Sequence, residues 1–95
     1  MEDYQEEKNL RNLIAVSIEN ALLEIGRKEL NEVESKLEAD YKSNFFDCMD
    51  HPEYLGKILR ELYPDNNKIA KLILKKLSGF IPKSLFIDFQ RELTG

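Results

Sequence analysis

The first quarter of the chain carries apolar side chains on two sides of one predicted helix. In residues 4–25 they recur every three or four positions, which is the spacing of one face of an α-helix. A narrow sector is expected to pack in the core and contains Leu10, Ile14, Ile18, Ala21 and Ile25. A second row, which we call the seam, lies on another side at spacings of three, four and three: Leu13, Val16, Asn20 and Leu23. Since one face suffices to build the core, the seam predicts contact with a second partner.

The same periodicity predicts five helices, over residues 4–25, 28–41, 52–63, 65–78 and 84–93. Residues 42–51 break the period and are expected to form a loop or one helical turn, held in the core by Phe45 and Phe46. No stretch alternates with period two, and no Asn-Gly turn joins two β-branched runs. The pattern therefore predicts a single all-α domain over residues 1–95, a compact bundle of four to five helices.

Residues with special backbone or capping preferences lie at several of these boundaries. Gly26 and Gly79 follow the first and fourth helices, where a glycine in the left-handed conformation commonly ends a helix. Asp50 precedes the third helix, and Asp65 or Asn66 precedes the fourth. Their side chains are expected to accept hydrogen bonds from the first free N–H groups of those helices.

The composition agrees with a globular helical domain. Of the 95 residues, 42% are hydrophobic and 34% are charged, which provides enough apolar material for a core. No apolar run approaches the roughly 18 to 20 residues that cross a bilayer. The first dozen residues also lack the basic-then-apolar pattern of a secretory signal. We therefore expect a soluble, cytoplasmic protein with neither a membrane span nor a signal peptide.

Charge is distributed unevenly along the chain. Residues 1–51 contain 13 acidic and 6 basic side chains, a balance of −7, whereas residues 52–95 contain 5 acidic and 8 basic ones, a balance of +3. A lysine stripe lies opposite the apolar arc of the fourth helix: Lys68, Lys71 and Lys75, with Lys76 at its edge. This helix follows another helix and a short turn, as in a helix-turn-helix, but no arginine lies on the stripe to read guanine. Nucleic-acid binding through the lysine stripe is therefore an alternative function.

Residues able to carry chemistry are few and lie just before the third helix. Cys48 and His51 have a metal-like spacing and are flanked by Asp47 and Asp50, but a zinc site needs about four ligands. Nucleophilic catalysis by a Cys–His pair also needs an orienting group and an oxyanion hole. The 4 glycines lie too far apart to form a phosphate-binding loop. We therefore expect that the protein is not an enzyme and binds neither a cofactor nor a metal ion. Cys48 is expected to be buried and His51 to lie at the surface.

Three stretches between Leu13 and Leu77 together resemble a known family. They are IENALLEIG at residues 18–26, DCMDHPEYL at 47–55 and ILRELY at 58–63. This combination is similar to the small thaumarchaeal output domains, an archaeal family found fused to response-regulator receivers and as stand-alone proteins. The resemblance implies a regulatory role downstream of signalling in a prokaryotic cytoplasm, and it carries over no catalytic residues. No receiver domain lies in these 95 residues, so control by phosphorylation within this chain is not implied.

From these observations we expect a non-enzymatic protein-interaction module that acts as a homodimer in regulation or signal output. Its predicted partner interface combines residues of the first and last helices: Leu13, Val16, Leu23, Phe86 and Phe89. The alternative is a helix-turn-helix-like regulator that binds nucleic acid through Lys68, Lys71, Lys75 and Lys76. A regulatory protein partner is also expected, and a membrane partner is not.

Overall fold

The computed structural model describes residues 2–65 and 67–94, with side chains from residue 8 onward. It contains five α-helices: α1 (Glu2–Ile25), α2 (Arg27–Tyr41), α3 (Pro52–Leu62), α4 (Asn67–Leu77) and α5 (Lys83–Thr94). A short 3-10 helix, Phe45–Met49, connects α2 to α3, and no strand occurs in the described residues. The predicted all-α bundle is therefore confirmed, and each helix begins and ends within two residues of its predicted bounds.

All five α-helices and the 3-10 helix contribute to one hydrophobic core. In α1 the buried side includes Ile14, Ile18 and Ala21, as the helical period predicts. It also includes Leu22, which the predicted sector left out, because the buried arc of α1 is wider than one narrow stripe. Ile25 was expected in the core but is exposed, since it is the last residue of α1 and lies at the edge of the bundle.

α3 and α5 approach each other closely at Gly56. Gly56 is buried in α3, and a Cβ atom at this position would overlap the backbone carbonyl of Glu92 in α5. One turn further along α3, the guanidinium of Arg60 donates a hydrogen bond to that same carbonyl, with Nη1 2.8 Å from the oxygen. Glycine is therefore required here for packing, so that the two backbones can meet.

The turns after α1 and α4 differ from the prediction. Neither Gly26 nor Gly79 is left-handed: α2 begins directly after Gly26, which is extended and serves as the N-cap of α2. After α4, the N–H of Phe80 donates to the carbonyl of Leu77, and this tight turn needs no left-handed residue. Within residues 2–65 and 67–94, the left-handed conformation is adopted by Lys42, at the end of α2.

The predicted cap at Asp50 is wrong. The N-cap position of α3 is occupied by His51, and no side-chain hydrogen bond caps this helix. The Asp50 carboxylate instead pairs with Arg11 of α1, with Nη1 2.8 Å from Oδ2. The preceding 3-10 helix is capped by Asn44, whose side chain accepts a hydrogen bond from the N–H of Phe46. Of the two predicted caps of α4, Asp65 and Asn66, the second lies outside the described residues.

Candidate protein-interaction surface

The seam lies on the surface of α1, as predicted. Leu13, Val16 and Leu23 are 45%, 51% and 42% exposed, and Asn20 between them is also exposed. The opposite side of the same helix holds core residues that are fully buried, among them Ile14 and Ile18. α1 therefore has one face in the core and a second, largely aliphatic face in contact with solvent.

A groove of about 490 Å³ lies beside the seam, between α1 and α4. Leu13, Val16 and Asn20 form its α1 wall, and Leu72 lies on the α4 wall. Phe80, in the turn after α4, also lines the groove and is 54% exposed. The seam and the groove thus form one continuous, largely apolar surface. The sequence periodicity predicted the α1 part of this surface but not the part formed by α4 and Phe80.

Charged residues also line this groove. Glu24 of α1 pairs with Lys76 of α4, with Oε2 2.8 Å from Nζ. The hydrogen bond from Lys76 lowers the pKa of the Glu24 carboxyl, and the nearby charge of Lys75 lowers it further. Lys75 also lines the groove, is exposed, and forms no ion pair with a carboxylate in the described part of the chain. Glu24, Lys75 and Lys76 therefore leave the groove with one positive charge that is not paired with a described carboxylate.

The lysine stripe is only partly available to an external partner. Lys68, Lys71 and Lys75 are exposed on α4, whereas Lys76 is half-buried and held by Glu24. Phosphate binding by Lys76 would require breaking this pair.

The aromatic residues of α5 are not part of the exposed surface that contains the seam. Phe89 is fully buried in the core, so the prediction that it contacts a partner is wrong. Phe86 is partly buried and packs against the same core, because this side of α5 faces α3 and α4. The exposed large apolar residue of α5 is Ile87, at 45%. Helical periodicity shows that the Phe-rich side is apolar, but it does not show whether the monomer itself covers it.

The two phenylalanines before α3, Phe45 and Phe46, differ in burial. Phe45 is buried in the core as expected, but Phe46 is exposed, so the prediction is wrong for Phe46. The reason is the 3-10 conformation of this segment, in which two adjacent side chains point in different directions.

Cys48 and His51 have different surroundings despite their spacing. Cys48 is fully buried, and burial, together with the negative charges of Asp47 and Glu53, raises the pKa of its thiol to about 12. His51 is exposed and stacks on Tyr54 with ring centroids 4.5 Å apart, and its Nδ1 lies 2.9 Å from a carboxylate oxygen of Glu53. Within the described residues, no three His, Cys, Asp or Glu side chains are grouped so as to hold a metal ion.

Comparison of the chain with protein-family models, curated proteins and solved structures found no match. In the described part of the chain, no helix is both long enough and apolar enough to cross a membrane.

Proposed function

We propose that the chain is a non-enzymatic protein-interaction module with a regulatory role, and that it acts as a homodimer through the seam of α1. The observation that carries this proposal is the exposure of Leu13, Val16 and Leu23 on one side of a helix whose other side already builds the core. Phe80 and the groove extend the same apolar surface towards α4.

Covering the seam would add favourable burial energy to an interface between two copies. Complete burial of one aliphatic side chain contributes about 1.5 to 3 kcal/mol. Each seam aliphatic keeps about half of its surface exposed. Covering the remaining half of all three is therefore worth roughly 2 to 4 kcal/mol per copy, before the cost of association. Asn20 lies among them, and its amide can form hydrogen bonds inside an interface.

The regulatory part of the proposal is supported by the resemblance to the thaumarchaeal output domains. Its most specific stretch includes Cys48, His51 and Tyr54, which the structure places at the junction of the 3-10 helix and α3. This junction is tied to α1 by the Asp50–Arg11 ion pair. A regulatory module in the cytoplasm, with a protein as its downstream partner, is consistent with this resemblance.

The alternative, nucleic-acid binding through α4, is favoured only by the exposure of Lys68, Lys71 and Lys75. The net charge of −4 opposes it. A mobility shift that weakens steeply as salt rises would support this alternative, and no shift at low salt would exclude it.

Val16→Glu tests the interaction surface, with Ile87→Glu as a matched control. Both positions are similarly exposed aliphatic residues on helix surfaces, but Ile87 lies outside the seam and the groove. Light scattering should give twice the chain mass of 11.1 kDa for the native protein and for Ile87→Glu, and the single-chain mass for Val16→Glu. Circular dichroism should show equal helicity in all three. A native protein that remains monomeric at high concentration, or a Val16→Glu variant that remains dimeric, contradicts the proposal.

A further inference from the structure

The seam positions match the a and d positions of a coiled-coil heptad. With Leu13 at a, Val16 falls at d, Asn20 at the next a and Leu23 at the next d. The core residues Ile14 and Ile18 fall at b and f, which face away from a coiled-coil partner. The exposed side of α1 is therefore the side that a second helix would contact in this geometry.

Asn20 determines which orientation of a second α1 helix fits. In an antiparallel pair that sets Leu13 against Leu23 of the second copy, Asn20 lies opposite Val16. Its amide is then buried against an aliphatic side chain, which is unfavourable because its polar groups find no hydrogen-bond partner there. In a parallel pair each seam residue meets its own copy, and the two Asn20 amides can donate to and accept from each other. A single asparagine at an a position is known to fix register and oligomer state in coiled coils.

The charges beside the seam fit the same parallel arrangement. Glu19 occupies a g position and forms no ion pair with a described cation. In a parallel pair, a g residue approaches the next e residue of the partner, which here is Glu24. Glu24 is already neutralised by Lys76, and Lys75 beside it carries the uncompensated positive charge. Glu19 of the second copy would therefore lie near a group of residues, Glu24, Lys75 and Lys76, whose net charge is positive. It would not face the negative charge of Glu24 alone.

From these positions we infer that a second copy of this chain packs its α1 parallel to the first, with Asn20 against Asn20 and Glu19 against Lys75 in the groove. This inference rests on the proposed homodimer and names its geometry. Four seam positions are short for a coiled coil, and the groove wall formed by Leu72 and Phe80 supplies the additional apolar contact.

Disulfide formation in Leu13→Cys tests the orientation. In the parallel pair the two cysteines face each other, whereas in the antiparallel pair they lie about 15 Å apart, ten residues along the helix axis. A disulfide requires Cα atoms within about 7 Å. Leu23→Cys serves as a second variant with the same expectation, in case Leu13→Cys loses the dimer. Ile87→Cys controls for random collision, and the native chain controls for the buried Cys48.

We expect Leu13→Cys, or Leu23→Cys, to form a covalent dimer at least tenfold faster than Ile87→Cys under mild oxidation. If the native protein is dimeric but a disulfide forms only when Leu13→Cys and Leu23→Cys are mixed, the helices are antiparallel and this inference is overturned while the proposed function stands. If no seam cysteine cross-links in a dimeric protein, the inference is likewise overturned. A monomeric native protein overturns both.

A charge reversal tests the contact beside the seam. Glu19→Lys places a cation against Lys75 and Lys76 and should raise the dimer dissociation constant severalfold. Adding Lys75→Glu to the same chain should lower it again, because the pair is restored with its signs exchanged. A double variant that binds no more tightly than Glu19→Lys alone contradicts the Glu19–Lys75 contact.

Discussion

Gly56→Ala is expected to destabilise the fold, although alanine has a higher helix propensity than glycine. Gly56 lies inside α3, where replacing glycine by alanine normally stabilises a helix by about 1 kcal/mol. In this structure the added methyl group would overlap the carbonyl of Glu92, which is a backbone atom and cannot rotate away. α3 and α5 must therefore separate locally to accommodate it.

The magnitude follows from two unfavourable effects and one favourable effect. Overpacking of a well-packed core costs about 1 to 3 kcal/mol. Separation of the helices also lengthens the 2.8 Å hydrogen bond from Arg60 to Glu92, and a typical hydrogen bond contributes about 0.5 to 1.5 kcal/mol. After the propensity gain of about 1 kcal/mol is subtracted, we expect Gly56→Ala to lower the free energy of unfolding by roughly 0.5 to 3.5 kcal/mol.

Urea unfolding followed by circular dichroism measures this change, with all proteins at the same concentration. Gly79→Ala is the control, because a Cβ at Gly79 meets nothing within 4 Å and the glycine has no positive φ. That variant should be neutral or slightly stabilising. A Gly56→Ala protein as stable as the native one, or more stable, would refute the close packing of α3 on α5.

Three further experiments test other parts of the structure. Ile18→Ala should lower the free energy of unfolding by about 2 to 5 kcal/mol because Ile18 is fully buried, and Ile87→Ala by less than about 1 kcal/mol; equal losses in urea titrations would contradict the assignment of the helix faces. Cys48, buried and with a pKa of about 12, should react much more slowly with a thiol reagent in the folded protein than in urea, and equal rates would show that it is accessible. Asp50→Ala should cost about 0.2 to 1 kcal/mol near neutral pH, through loss of the Arg11 pair. Because Arg11 lowers the folded-state pKa of Asp50, this contribution is present above the ordinary value of 3.8 and disappears as pH falls through the folded-state pKa; a loss that persists at lower pH would point to another cause.

The features that depend on local periodicity were predictable from the sequence. Helix positions follow from apolar residues at spacings of three and four, and the structure confirms them. The two sides of α1 follow from the same rule, since Ile14 and Val16 differ by about 200° around the helix and one is buried while the other is exposed. The exposure of the seam could therefore be predicted without knowledge of the tertiary fold.

Features that depend on distant parts of the chain could not be predicted in this way. Phe89 is apolar on an amphipathic helix, and only the docking of α5 onto the bundle determines that the monomer itself buries it. Asp50 is a good capping residue in its local sequence, but Arg11, 39 residues earlier, binds its carboxylate. The groove likewise requires the turn after α4 to bring Phe80 beside α1. In each case the deciding contact is separated in sequence from the residue it affects.

The most direct test of the proposed interface is isotope-filtered NMR on an equimolar mixture of labelled and unlabelled protein, which detects contacts between copies only. We predict intermolecular NOEs among the methyl groups of Leu13, Val16 and Leu23, each reporting contact with the same residue of the second copy. A mixture that gives no intermolecular NOEs at high concentration, or gives them only at α5 around Ile87, would contradict the homodimer through the seam of α1.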